Sequence, residues 1–85
     1  MQKKKKNDSL EDLKYILGNM GLEIFRAIER GARNLKTINL FSGVSLACIK
    51  GRLPVLLELK LVKKDKNEYC LSKKGKIFRD RINEK

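Results

Sequence analysis

Between Asn34 and Gly75 the chain reads NLKTINLFSGVSLACIKGRLPVLLELKLVKKDKNEYCLSKKG, two helical patterns hinged at a glycine and followed by two short strand patterns around a lysine-rich turn. Few folds accept that order in so short a span. Asn34 is a good N-cap for a helix over 34–42 carrying Leu35, Ile38 and Phe41, and Gly43 supplies the positive φ that ends it. Ser45 caps the next helix only two residues later. That helix, 45–60, places Leu46, Ile49, Leu53, Leu56 and Leu57 on one face. Two helices joined so tightly must cross steeply.

Pro54 stands inside the second helix, where it removes one hydrogen bond and crowds the carbonyl of Lys50, at a cost of about 3 kcal/mol. Gly51 weakens the same turn. The pattern therefore predicts a kink near Gly51 to Leu53, or two helical pieces. From Leu61 the period changes to that of a hairpin over 61–71, with Asp65, Lys66 and Asn67 as its turn and Tyr69 and Leu71 alternating on the return. Ser72 then caps a helix over 73–84 in which Ile77, Phe78 and Ile82 share a face.

Upstream, Ser9 can cap a helix over 9–18 whose Leu10, Leu13, Ile16 and Leu17 form an apolar stripe. Gly18 and Gly21 permit a break, either a full turn or a kink, before a second helix over 20–31 that carries Leu22, Ile24, Phe25 and Ile28 and stops at Gly31. Residues 1–8 include the run Lys3 to Lys6 and read as a disordered basic arm. The remainder, 9–85, is one domain, mainly α with a small β-hairpin (α+β).

The charge limits the partners. Twenty-one basic residues against ten acidic ones give +11, and without the four lysines of the arm the chain still carries +7. Such an excess attracts polyanions, nucleic acid first. The chain has no histidine, and Cys48 and Cys70 are not a CxxC pair, so no metal site and no cofactor are expected. The two cysteines read as reduced, partly buried thiols, with a disulfide between them as the alternative. An enzyme is not expected either: no nucleophile lies beside a plausible base, and neither a glycine-rich phosphate loop nor clustered carboxylates occur. The longest apolar run, Leu53 to Leu57, is far below the roughly 20 residues of a membrane span. Acids at 8, 11 and 12 occupy the place of a signal peptide's apolar region. The expectation is a cytoplasmic, nucleoid-associated protein.

In element order and turn residues, the chain from about Leu22 to Ile82 resembles the winged helix-turn-helix family of archaeal and bacterial transcriptional regulators. GVS at Gly43 to Ser45 is similar to the family's turn, RLPVLLELKLV at Arg52 to Val62 to the end of its recognition helix and the entry to its wing, and YCLSKKGK at Tyr69 to Lys76 to the return strand and closing helix. With its lysines and its proline, the segment looks most like small regulators of archaea. Two residues depart from the pattern. Asn39 stands where the family usually has alanine, and Lys60 where glycine usually precedes the wing.

The resemblance implies double-stranded DNA as partner, with the helix after Gly43 in the major groove. Ile49 and Leu53 face the core, so Ala47, Cys48, Lys50, Gly51 and Arg52 are left nearer solvent. Lys50 or Arg52 would then donate to guanine, and Ala47 and Cys48 would touch a thymine methyl. Ser45 at the helix N-terminus suits a phosphate. Lys63, Lys64 and Lys66 would lie on the wing against the backbone, with Arg33 and Lys36 holding phosphates that set the register. The stripe Leu10, Leu13, Ile16 and Leu17 is either core or, with Ile77, Phe78 and Ile82, the face of a homodimer. No small-molecule ligand is implied. Two other readings stand beside the regulator: a winged-helix protein-interaction module of a larger nucleic-acid machine, and a chromatin-like binder without sequence preference.

Overall fold

A computed structural model describes residues 10–83, in the order α1 (Leu10–Glu29), α2 (Leu35–Ser42), α3 (Leu46–Glu58), β1 (Val62–Asp65), β2 (Glu68–Leu71) and α4 (Lys73–Ile82). The fold is mostly helical with one two-stranded antiparallel hairpin, an α+β arrangement. The basic arm, the Ser9 cap and residue 84 of the expected C-terminal helix lie outside the described residues, and that helix ends at Ile82 with Asn83 as its C-cap. Among those described, no single helix is long and apolar enough to cross a membrane.

The two helices expected upstream are both present within α1 and meet at a kink at Gly18, where φ 69° and ψ −177° form a conformation open essentially to glycine alone. The bend lets both halves of α1 face the same core. Leu13 and Leu17 come from the first half, and Ile24, Phe25, Ala27 and Ile28 from the second. Ile38 of α2, Ile49, Leu53 and Leu56 of α3, Leu61 and Val62 at the hairpin and Phe78 of α4 complete the core. Phe25 and Phe78 meet edge to face with ring centroids 5.1 Å apart.

That core corrects the dimer face. Leu13, Leu17 and Phe78 are each at most 3% exposed, so a second copy cannot reach them without opening the fold. A chain this short has few apolar side chains to spare, and closing one core has first claim on them. Ile82 is half-buried against the same cluster, Ile16 and Ile77 remain on the surface, and the side chain of Leu10 lies outside the described residues. Phe41 and Leu46, expected inside, are 46% and 47% exposed. Leu46 opens α3, one turn beyond Ile49, and so projects past the edge of the core.

α2 and α3 bend by 106° through Gly43, Val44 and Ser45, within the range of a helix-turn-helix pair. Local bonds fix the corner. Asn34 and Thr37 form a capping box at the start of α2, and Ser45 Oγ accepts the Cys48 N–H. Gly43 takes φ 74° and donates its N–H to the Asn39 carbonyl, while the Asn39 amide donates to the Val44 carbonyl at 2.7 Å. The asparagine that departs from the family pattern is thus the staple of the turn.

α3 is helical without interruption from Leu46 to Glu58, so of the two expected outcomes, a kink near Gly51 to Leu53 or two helical pieces, the second does not occur. Pro54 is exposed, which leaves the carbonyl of Lys50 beside water rather than in the core. The helix ends before 60, in a Schellman closure: Leu61 N–H donates to the Leu56 carbonyl and Lys60 N–H to the Leu57 carbonyl. Lys60 takes the left-handed position at φ 64°, where glycine is usual. The following hairpin pairs Val62 with Leu71, Lys63 with Cys70, Lys64 with Tyr69 and Asp65 with Glu68. Lys66 and Asn67 both have positive φ, as a two-residue type I′ loop requires.

Candidate nucleic-acid interface

The exposed surface of α3 is narrower than the sequence suggests. Leu46, Ala47, Lys50, Gly51 and Pro54 are exposed at spacings of i, i+1, i+4, i+5 and i+8, a single stripe along the helix. Arg52 is also exposed, but two residues from Lys50 it is turned by about 200° around the axis. Lys50 and Arg52 therefore cannot read the same groove, and the stripe contains Lys50. Cys48 is half-buried, packed against the core, with its thiol free, as is the thiol of half-buried Cys70. Ser45 is exposed, with its hydroxyl engaged as the cap of α3.

The hairpin divides the wing lysines between its two faces. Lys64 and its cross-strand partner Tyr69 share one face, with the Lys64 ammonium 5.4 Å from the ring centroid. There an open groove forms between the hairpin and the start of α2, lined by Asn34, Leu35, Lys36, Lys64, Asn67 and Tyr69. It brings Lys36 and Lys64 together from elements 28 positions apart in the chain. Lys66 sits at the exposed tip of the loop.

Lys63 lies on the opposite face, over a separate cleft that also includes Arg33, Cys70, Lys76 and Arg79, with Glu29 as its acid. Arg33 does not stand with Lys36. Its guanidinium is turned back to donate to the carbonyls of Ile28 and Ala32, both at 3.1 Å, where α1 ends. The backbone explains this: Tyr69 N–H donates to the Arg33 carbonyl, tying this linker beside β2 and directing its side chain to the helix terminus. The expected partnership of Arg33 and Lys36 on one phosphate track is thus divided, like that of Lys63 and Lys64.

Two features of the surface escaped the sequence reading. From Arg30 to Leu57 the chain contains no carboxylate and five basic residues, so α2 is free of acid and α3 carries only Glu58, at the end away from the corner. That signal is visible in the sequence once the helix ends are known. The second is apolar: Leu40 is 68% exposed and lies with Phe41 and Leu46 at the corner. Helical periodicity placed Phe41 and Leu46 inside, because spacing alone does not show where a core ends. Among the described residues, no three of His, Cys, Asp or Glu come together as a metal site. Comparison with protein-family models, with curated proteins and with solved structures gave no significant match to this chain.

Proposed function

We propose that this chain is a winged helix-turn-helix protein that binds double-stranded DNA with sequence preference and regulates transcription, acting at the nucleoid. α3 enters the major groove, and the hairpin serves as the wing against the backbone. The observation that carries the reading is the acid-free corner: two helices bent by 106°, without a carboxylate from Arg30 to Leu57, beside a groove that holds Lys36 and Lys64. A duplex presents closely spaced phosphates, and a surface that meets it gains from lysines and loses from every uncompensated acid. In this arrangement Lys50 reaches base edges, while Lys36, Lys64 and Lys66 hold phosphates.

Selection from a random duplex library tests the proposal, followed by titration of the recovered duplex against a scrambled one at several salt concentrations. The expected result is a preferred duplex whose advantage over the scrambled one persists as salt rises. Steep and equal salt loss for both would indicate a chromatin-like binder. Absence of binding at low salt would leave the interaction module, the reading that exposed Leu40, Phe41 and Leu46 favour.

The proposed protein is a homodimer, so that two corners reach half-sites about one DNA turn apart. With Leu13, Leu17 and Phe78 in the core, the exposed apolar side chains of α1 and α4 left for pairing are Tyr15, Ile16, Met20 and Ile77. Light scattering should give a dimer mass for the native chain and a monomer mass for Ile16→Glu with Ile77→Glu. A monomer mass for the native chain would refute the pairing.

A further inference from the structure

The exposed stripe of α3 is chemically one-sided. It presents the side chains of Leu46 and Ala47 at its first turn, the single donor Lys50, then Gly51 and Pro54. The side chains best suited to adenine are asparagine and glutamine, and α3 has neither. Arginine, the usual partner of guanine, occurs in α3 as Arg52, away from this stripe. What a helix of this composition can still recognise on a base edge is the thymine 5-methyl group, the apolar feature of the major groove.

Position supports the same reading. In a helix-turn-helix the N-terminal residues of the second helix are those that reach the bases, and Leu46 and Ala47 are the first two residues of α3. Leu46 is 47% exposed, so part of its surface is available to be buried by a partner. The corner is bordered by Lys36 and Lys50 and lacks carboxylates throughout, which complements a polyanion. A second copy docked symmetrically on this patch would set the same lysines against each other.

We propose that the chain recognises thymine-rich duplex DNA by packing Leu46 and Ala47 on thymine methyl groups. This rests on the DNA-binding reading above and adds the class of sequence it prefers. Lys50 fixes the adjoining position by donating to an acceptor on the base edge, and the apolar turn selects for methyl groups beside it.

The test uses the full chain and the duplex recovered from a random library, remade with deoxyuridine in place of every thymine, which removes only the 5-methyl groups. Affinity should fall about four-fold for each contacted methyl, hence roughly 15-fold for two. Leu46→Ala should shrink that ratio, because it loses more affinity for the thymine duplex than for the deoxyuridine one, with the melting temperature as the check that the variant is folded. The ratio that remains in the variant reports the Ala47 contact together with the effect of methyl loss on duplex shape.

Equal affinity of the native chain for the two duplexes would overturn the inference while leaving DNA binding intact. So would a Leu46→Ala variant that binds both as the native chain does, since the patch would then serve another protein. A native mass that halves on Leu46→Ala would also overturn it, by showing the patch covered by a second copy. A library that yields no preferred duplex would overturn the proposed function together with the inference.

Discussion

Gly75→Ala should destabilise the protein by about 3 kcal/mol, at the upper end of what overpacking usually costs, and lower the melting temperature by roughly 12 °C or more. Intrinsic preference points the other way. Alanine is a better helix former than glycine by about 1 kcal/mol, and Gly75 lies in the first turn of α4. The space decides the sign. A Cβ on Gly75 would lie 1.9 Å from the carbonyl oxygen of Leu61, which is backbone and already accepts the Ser72 N–H.

Neither partner can retreat easily. Ser72 Oγ accepts the Gly75 N–H and donates to the Lys60 carbonyl, so the start of α4 is tied to the Schellman closure of α3. Leu61 is fully buried, and the hairpin begins at the next residue. The same contact therefore sets the direction in which the hairpin leaves α3. Gly51→Ala is the control, because a Cβ there meets nothing within 4 Å inside α3 and should raise stability by up to about 1 kcal/mol. Thermal melting of the two variants separates the effects. A Gly75→Ala protein that melts at or above the native temperature would disprove the steric account.

Gly75 marks a boundary of what the sequence makes legible. The elements and most of their caps can be read from it because capping and turn chemistry are local: Asn34, Gly43, Ser45, Gly31 and Ser72 each act within a few residues of their own position. The Asn39 staple and the left-handed Lys60 were visible only as departures from a pattern, and their geometry was needed to show what they do. Gly75 is different in kind. Its constraint comes from Leu61, 14 positions away, and nothing in KKGK distinguishes a glycine pressed on backbone from one that merely weakens a helix.

The candidate site divides in the same way. Lys50 and Ala47 on the outer stripe of α3 followed from helical spacing, as did the burial of Ile49 and Leu53. Arg33 did not, because the hydrogen bond from Tyr69 that orients its linker is a tertiary contact. Nor did the edge of the core, where Leu13 and Leu17 fall inside while Phe41 and Leu46, on equally good stripes, fall outside. Gly18 explains the first pair by bending α1 over the core. Length explains the second: α2 has only eight residues, so Phe41 and the start of α3 lie at the rim.

If the groove between α2 and the hairpin holds DNA phosphates, Lys36→Gln with Lys64→Gln should weaken binding of any duplex about 60-fold at 0.1 M salt. The figure follows from counterion release. Each phosphate neutralised contributes about 0.9 to the slope of log K against log salt, so losing two contacts lowers the slope by roughly 1.8, which is 10 to the power 1.8 at 0.1 M. Both lysines are exposed, and removing a positive charge near the start of α2 relieves rather than harms the helix dipole. Loss of the Lys64 contact with Tyr69 should cost at most about 1 kcal/mol of stability, so the double variant stays folded and the large effect appears in binding. Lys63→Gln supplies the comparison, since Lys63 lies on the other face of the hairpin with Cys70 and should leave the slope close to native. Preferred and scrambled duplexes should weaken alike, because phosphate contacts carry no base information. Parallel salt lines for the native chain and the double variant would remove the groove from the DNA path and leave Lys66 as the wing's one assigned phosphate contact.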